Sequence, residues 1–420
     1  MTDLRVAILH YAGPPIIGGV EHTIAVHARL LIEHGYSVSV IVGRGDPLSG
    51  PPLTGGRVGV DFVHIPEVDS RHPDVLAIGK ALAAGEVPAA FYDLRNRLVE
   101  QLSAALLGSD VCIAHNVLTL HKNLPLTAAL HVLTRQGLRL IGWCHDFAWT
   151  RPQYQPALHD GYPWNLLSHP WPNVRYVVDS EAQRTELTRL FAVNEDQITV
   201  VPPGVDPAGF DQWTETTRRL VTELDLWAAS PLLLLPARIT RRKNIELAIR
   251  ITAALKQAGR WPKLLVTGPP GPHNPENVAY LEALRALRRE LDVEEAVVFL
   301  YEVEANGRSS RQLDDVTMAN LFHLADALLF PSTAEGFGIP VLEAGLARLP
   351  VFCSDIPPFR ETADGVAEFF GLDEPPEAIA HRLMAALDAD RASRLRRRVL
   401  DRFTWEAVFT QCIEPLLRAP

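Results

Sequence analysis

The segment Glu335-Gly336-Phe337-Gly338-Ile339-Pro340-Val341-Leu342-Glu343 concentrates more potential chemistry than any other stretch of the chain. Two glycines let backbone approach a ligand, and Pro340 suits the first turn of a helix, so the Gly338 and Ile339 amides face outward as an anion site. Glu335 then falls in the loop and Glu343 in the first helical turn, where both carboxylates can reach one cleft and bind vicinal sugar hydroxyls. The plainer alternative is that Glu343 complements the helix dipole and Glu335 caps the turn. Arg238 ends an all-apolar strand, and Lys243 follows at the start of a helix. Projecting into a cleft, such a pair neutralises a diphosphate, the guanidinium bidentately and the ammonium as a point charge. Arg241 and Arg242 between them are expected to face solvent; the alternative for the whole stretch is a solvated basic loop.

Gly18-Gly19-Val20-Glu21 opens a second helix, again offering bare amides at a positive dipole end, or a simple tight turn. The G-x-G-x-x-G spacing and a clear ribose carboxylate are lacking, as is a Walker A pattern, which disfavours a dinucleotide dehydrogenase or a P-loop enzyme. His145 and Asp146 follow a strand, where a histidine can hydrogen-bond a sugar hydroxyl or the reacting group; a satisfied structural histidine is the alternative. Further ligands for a metal phosphohydrolase are not apparent. Residues 147–172 carry five prolines, and Trp143, Trp149, Trp164 and Trp171 account for four of the eight tryptophans. Trp149 and Tyr154 can stack on sugar faces or pack in a core. Asp388-Ala389-Asp390 has a metal-binding D-x-D spacing but lies in a helical run, as a solvated face. Ser180 with Gln183 has the spacing of a capping box.

These residues need elements to hold them. Apolar runs at Leu4 to His10, Val38 to Val42, Val111 to Ala114, Leu138 to Trp143, Tyr176 to Val178 and Ile198 to Val201 alternate with helical patterns. After the turn-rich Pro202 to Asp206, a second series runs through Leu232 to Pro236, Lys263 to Thr267, Ala296 to Leu300, Ala327 to Phe330 and Pro350 to Cys353. Such alternation predicts α/β architecture: two parallel-sheet, Rossmann-like domains, 1–204 and 205–399, with a cleft between them at the carboxyl ends of the strands. Residues 43–59 and 302–315 read as loops.

At 420 residues, 47% hydrophobic and 21% charged, the chain suits two or three globular domains, with no apolar run long enough for a membrane span. A net charge of −10 without a basic block disfavours nucleic acid and anionic lipid as partners. Four scattered cysteines point to a reducing, cytoplasmic setting.

Taken together, Gly18 to Glu21, His145-Asp146, Asp179-Ser180-Glu181, Pro202 to Asp206, Arg238 and Lys243, Ala325-Asp326 to Pro331-Ser332, and Glu335 with Glu343 resemble a family 4 glycosyltransferase of the GT-B fold. The resemblance spans essentially the whole chain, and Phe403-Thr404-Trp405-Glu406 is similar to the family's C-terminal helix, about 400–420, which crosses back to the first domain. It implies a retaining, metal-independent hexosyltransferase with no cofactor, moving glucose or mannose from a nucleoside-diphosphate sugar to a small-molecule or glycan acceptor, as a monomer or homodimer.

By resemblance, Arg238 and Lys243 hold the diphosphate, Glu343 the ribose, and Glu335 with the Gly336, Phe337, Gly338 and Ile339 backbone the donor sugar. Gly18 and Gly19 approach the donor from the first domain, and His145 contacts the sugar near its anomeric centre. Tyr301 and Val303 fall at the expected base pocket, in place of a more usual Gly-containing turn, and the loop 304–315 is long. Asp146, Trp149 and Tyr154 fall where an acceptor binds. A sugar-nucleotide epimerase, a glycoside phosphorylase and a non-catalytic sugar-binding protein of the same fold are the competing readings.

Overall fold

The computed structural model describes residues 4–16, 18–47, 60–271, 276–305 and 313–418. The chain divides into two compact units, Met1–Val205 with Arg402–Pro420, and Asp206–Asp401. In the first unit, β1 (Arg5–His10), β2 (Ser37–Val42), β3 (Asp61–His64), β4 (Val111–His115), β5 (Leu140–Trp143), β6 (Val174–Val178) and β7 (Ile198–Val200) form one sheet in the order β3-β2-β1-β4-β5-β6-β7. Every pairing is parallel.

A parallel sheet must be covered on both faces, because its crossover helices pack there, and the strands are accordingly apolar at consecutive positions. Successive side chains point to opposite faces. Ala7 and Leu9 therefore join one core cluster, with Phe91, Leu94, Leu98 and Leu102 of the helix Ala89–Ala105. Val6 and Ile8 join another, with Ile24, Ala28 and Leu31 of the helix Gly19–Glu33 and with Trp405, Phe409 and Leu417 of the C-terminal segment.

The second unit repeats the plan with β8 (Leu232–Leu235), β9 (Lys263–Val266), β10 (Val297–Phe299), β11 (Ala327–Phe330), β12 (Val351–Ser354) and β13 (Glu368–Phe370), all parallel, in the order β10-β9-β8-β11-β12-β13. In each sheet the order reverses at one place, between β1 and β4 and between β8 and β11. At such a switch point the loops leaving adjacent strands diverge, and ligands of α/β folds bind beyond the strands' carboxyl ends.

Two strands escape the sequence reading. β3 and β13 are short edge strands with only half-buried patterns, so neither presents a long apolar run. The loop expected over 302–315 is corrected: Leu300–Ala305 is helical, and a helix capped by the Asp314 side chain spans Asp315–Leu324. Of the two loop segments, 48–59 and 306–312 lie outside the described residues.

Candidate functional site

In the second unit, the turn after β8 brings four cations close in sequence. Arg238 is exposed, three residues past the end of the strand. Its backbone is held where Gly268 sits against it: a Cβ at Gly268 would lie 2.8 Å from Arg238 Cα, so only glycine allows the two loops to meet. Arg241–Lys243 form a single 3₁₀ turn that ends on Asn244 in the left-handed region. That turn swings Lys243 inward, over the Phe330 ring at 4.7 Å, and Lys243 is buried.

Glu335, in the loop after β11, accepts hydrogen bonds from Lys243 Nζ and from Arg242 Nη1, the latter at 2.7 Å. Arg242 Nη1 also reaches the Ala334 carbonyl at 3.1 Å, and the Thr333 amide donates to the Arg242 carbonyl at 2.8 Å. Arg242 is exposed, as expected, and from the surface it also clamps the Glu335 loop. Burial pushes the Glu335 carboxyl up, but the hydrogen bonds and charges of Lys243 and Arg242 outweigh it and hold the group below the usual carboxylate range. Burial presses Lys243 below its ordinary value and Glu335 only partly restores it. Arg241 instead stacks over Tyr280, 5.2 Å from the ring centroid.

The helix after Glu335 spans Ile339–Leu346 with Pro340 in its first turn. Gly338 has φ of +96°, and a Cβ there would meet Phe359 at 2.8 Å, so glycine is required on both counts. Gly336 faces open space, and Phe337 and Ile339 are exposed. Glu343 is corrected by one turn: it is the fifth helical residue and exposed, too far along to complement the helix N-terminus. Tyr301 and Val303 lie on the Leu300–Ala305 helix, where Arg285 donates to the Tyr301 hydroxyl at 3.3 Å and to Glu302 at 2.8 Å.

The first unit gathers its own cluster beyond the carboxyl ends of β4, β5 and β6. His145 Nδ1 lies 2.7 Å from Asp179 Oδ2, and the Trp143 indole donates to the other carboxylate oxygen at 3.0 Å. His145 Nε2 lies 3.2 Å from His115 Nδ1, so both ring nitrogens are engaged. Ser180 and Gln183 form the expected cap, and the Gln183 amide continues to the His145 carbonyl at 3.0 Å. Asn116, at φ of +55°, receives the backbone amides of His145 and Asp146 on its side-chain oxygen and donates to Asp146 Oδ2 at 3.0 Å. Asparagine tolerates the left-handed region, and a strained residue this heavily bonded is a marker of a functional loop.

Gly18 caps the helix Gly19–Glu33 with extended backbone, and its missing side chain makes room for the Glu21 carboxylate. Gly19 meets nothing within 4 Å, so neither φ nor packing accounts for it. It lines a cavity of about 280 Å³ with His27, His145 and Trp405, and a second of about 820 Å³ with His10, Asn116 and Asp146. Burial lowers His10 to about 4 and His27 to about 3 and takes His115 well below the usual imidazole value, so all three are neutral at pH 7.

Trp149 and Tyr154 line neither cavity: both pack against the core, the Trp149 indole donating to the Trp164 carbonyl at 3.2 Å, while Trp164 and Trp171 are buried. The aromatic segment is thus built into the core by short 3₁₀ turns, because its prolines prevent a long helix from covering the sheet. Sequence reasoning singled out Asp179 without a role and missed Asn116, His10, His115 and Arg242. For His10, His115 and Asn116 the one visible signal was position at the end of an apolar run; Arg242 was named, but without its partner.

Two family models match the chain, Glycosyltransferase Family 4 over residues 17–208 and Glycosyl transferases group 1 over residues 226–399. The chain belongs to glycosyltransferase family 4, and each of its two units is a parallel-sheet α/β domain. It is 26% identical to a mannosylglucosylglycerate synthase of Petrotoga mobilis over 64% of this chain and 64% of that one, so the alignment spans under two thirds of that relative. It is 25% identical to a D-inositol 3-phosphate glycosyltransferase of Stackebrandtia nassauensis, over 96% of this chain and 88% of that one. Among solved structures, sucrose-phosphate synthase of Thermosynechococcus elongatus aligns over 99% of this chain and 98% of its own, at 18% identity and a TM-score of 0.38.

Proposed function

We propose that the protein transfers a hexose, of glucose or mannose type, from a nucleoside-diphosphate sugar to a small-molecule or glycan acceptor with retention at the anomeric carbon. The observation that carries this reading is the cationic turn Arg238–Lys243 at the β8/β11 switch point, tied through Glu335 to the glycine loop that begins the next helix. Arg238 and Lys243 neutralise the leaving diphosphate, and Arg242 is added to that set through its hold on Glu335. Since these cations belong to the chain itself, the reaction needs no metal. Glu343 binds the ribose, Glu335 and the Gly336 to Ile339 backbone hold the sugar, and His145, held by Asp179 and His115, contacts the sugar near its anomeric centre. The acceptor hydroxyl oxygen bonds to that carbon as the bond to the diphosphate oxygen breaks, and the hydroxyl proton passes to the departing diphosphate.

The relatives' names include a glycerate and an inositol phosphate, which supports a small polar acceptor. A thermal-shift panel with UDP, GDP, ADP and TDP tests the donor site. A ligand bound at 100 times its Kd stabilises the native state by about 2.7 kcal/mol, and one of the four is expected to raise Tm clearly above the others. No shift with any of them would remove the nucleotide assignment. The anomeric proton coupling in the product then decides retention against inversion.

A further inference from the structure

The larger cavity of the first unit, about 820 Å³, opens beyond the carboxyl ends of β1 and β4, with His10 and Asn116 among its lining residues. Three cations reach its wall from three separate places: Arg71 just before the helix Pro73–Ala83, Lys80 near the end of that helix, and Lys122 in the 3₁₀ turn His121–Asn123. All three are exposed, and none makes an ion pair among the described residues. Arg44 also lines the cavity, but its Nε lies 3.4 Å from Asp69 and its charge is offset. Burial, and beyond it the charge of Lys122, lowers His121 and contributes to lowering His10.

In a chain of net charge −10, three unpaired cations converging on one concavity raise the energy of the empty site through mutual repulsion. Four cations on the wall outnumber the carboxylates of Glu21 and Asp146, an excess of one sign in a concavity focuses the potential, and an anion entering it relieves the repulsion. Glu21 and Asp146 line the same cavity and supply acceptors for hydroxyls. We infer that the acceptor is a small anionic polyol, its phosphate or carboxylate held by Arg71, Lys80 and Lys122 while its hydroxyls face Glu21, Asp146 and the neutral His10. This rests on the glycosyl-transfer reading of the site and adds the acceptor's chemical class to it.

The test is calorimetric binding to the full-length protein saturated with its preferred nucleoside diphosphate, at physiological salt. The probes are glycerol, glycerate and glycerol 3-phosphate, then myo-inositol and its monophosphate, with vesicles containing phosphatidylinositol as a separate arm. The expected result is at least one anionic probe binding tenfold or more tighter than its neutral parent. The triple variant R71Q/K80Q/K122Q should abolish that preference while its nucleoside diphosphate affinity stays within twofold of wild type. Which of the two anionic series binds assigns carboxylate or phosphate.

Equal affinity for neutral and anionic probes, no binding of any probe, or an anion preference that survives the triple substitution would overturn the subsite. Binding to vesicles without binding of the free monophosphate would assign the anion to a lipid headgroup and overturn the small-molecule acceptor. Anion binding by a protein that takes no nucleoside diphosphate would leave the subsite standing and remove the transfer reading, so the two failures are distinguishable.

Discussion

Lys243, Arg242 and Glu335 form a triad in which the two cations are not equivalent. Lys243 is buried and Arg242 half exposed, so removing the shared carboxylate strands a buried ammonium, whereas removing Lys243 leaves Glu335 still paired with Arg242. Uncompensated buried charge is the costly case, on the order of 3 kcal/mol. Glu335→Ala is therefore expected to destabilise the second unit more than Lys243→Ala, by roughly 2 kcal/mol, read as the difference in urea midpoints multiplied by the slope. In turnover the order should be less unequal: each loses a charge-stabilising contact, about 3 kcal/mol in kcat/KM. The buried histidines add a pH dependence of known sign. His10 and His27 titrate at about 4 and about 3 when folded, against an ordinary 6.5, so the unfolded chain takes up protons first as pH falls. Stability is full above pH 6.5 and declines between about 6.5 and 4, by up to about 1.4 kcal/mol per pH unit for each histidine. Denaturant midpoints from pH 7.5 to 4.5 should show this slope, and His27→Leu should make it shallower; an unchanged slope would remove His27 from the account.

At the scale of elements, the glycine loops divide into two kinds. Gly338 and Gly268 are demanded by the fold, the first by its positive φ and the Phe359 ring, the second by the Arg238 backbone. Gly19 and Gly336 have free space where a side chain would go, so nothing inside the folded chain demands glycine at either. Gly338→Ala is expected to lower stability by about 2 kcal/mol or more, combining a left-handed alanine with displacement of a buried ring. Gly19→Ala should leave the melting temperature unchanged within a degree and instead raise KM for the donor. A loss of stability in Gly19→Ala, or none in Gly338→Ala, would reverse this division.

For the whole molecule, the end of the chain belongs to its beginning. Val205 and Thr404 form a parallel bridge, the Val205 amide donating to the Phe403 carbonyl at 2.7 Å, and Gly204 lies flush under Trp405, 2.6 Å from where a Cβ would stand. Trp405, Val408, Phe409, Ile413, Leu416 and Leu417 are buried over the first sheet. Each such side chain contributes roughly 1.5–3 kcal/mol of burial, so their sum rivals the 5–15 kcal/mol that holds a whole domain together. Truncation after Asp401 is therefore expected to abolish cooperative unfolding of the first unit while the nucleoside diphosphate site of the second is retained, as checked by proteolysis and ligand-induced thermal shift. The buried thiols of Cys112 and Cys353, pushed up to about 12 by burial, should not react with alkylating reagents until unfolding, and give an independent report on each unit.

The amino-acid sequence by itself determined the parallel α/β class, because strands covered on both faces must be apolar at every position, and it determined the glycine and proline pattern at the helix starts, because those backbone demands are local. It also placed Arg238, Lys243, Glu335 and His145 near strand ends. Only the tertiary structure decided that Arg242 pairs with Glu335, that Glu343 sits one turn beyond the helix start, that Trp149 and Tyr154 pack against the core, and that Asn116, His115 and Asp179 hold the His145 loop. Each of those depends on where a segment distant in sequence comes to rest: β11 beside β8, or β4 and β6 on either side of β5. A parallel sheet brings its site together from loops separated by whole crossovers, so spacing along the chain carries no record of which of them meet.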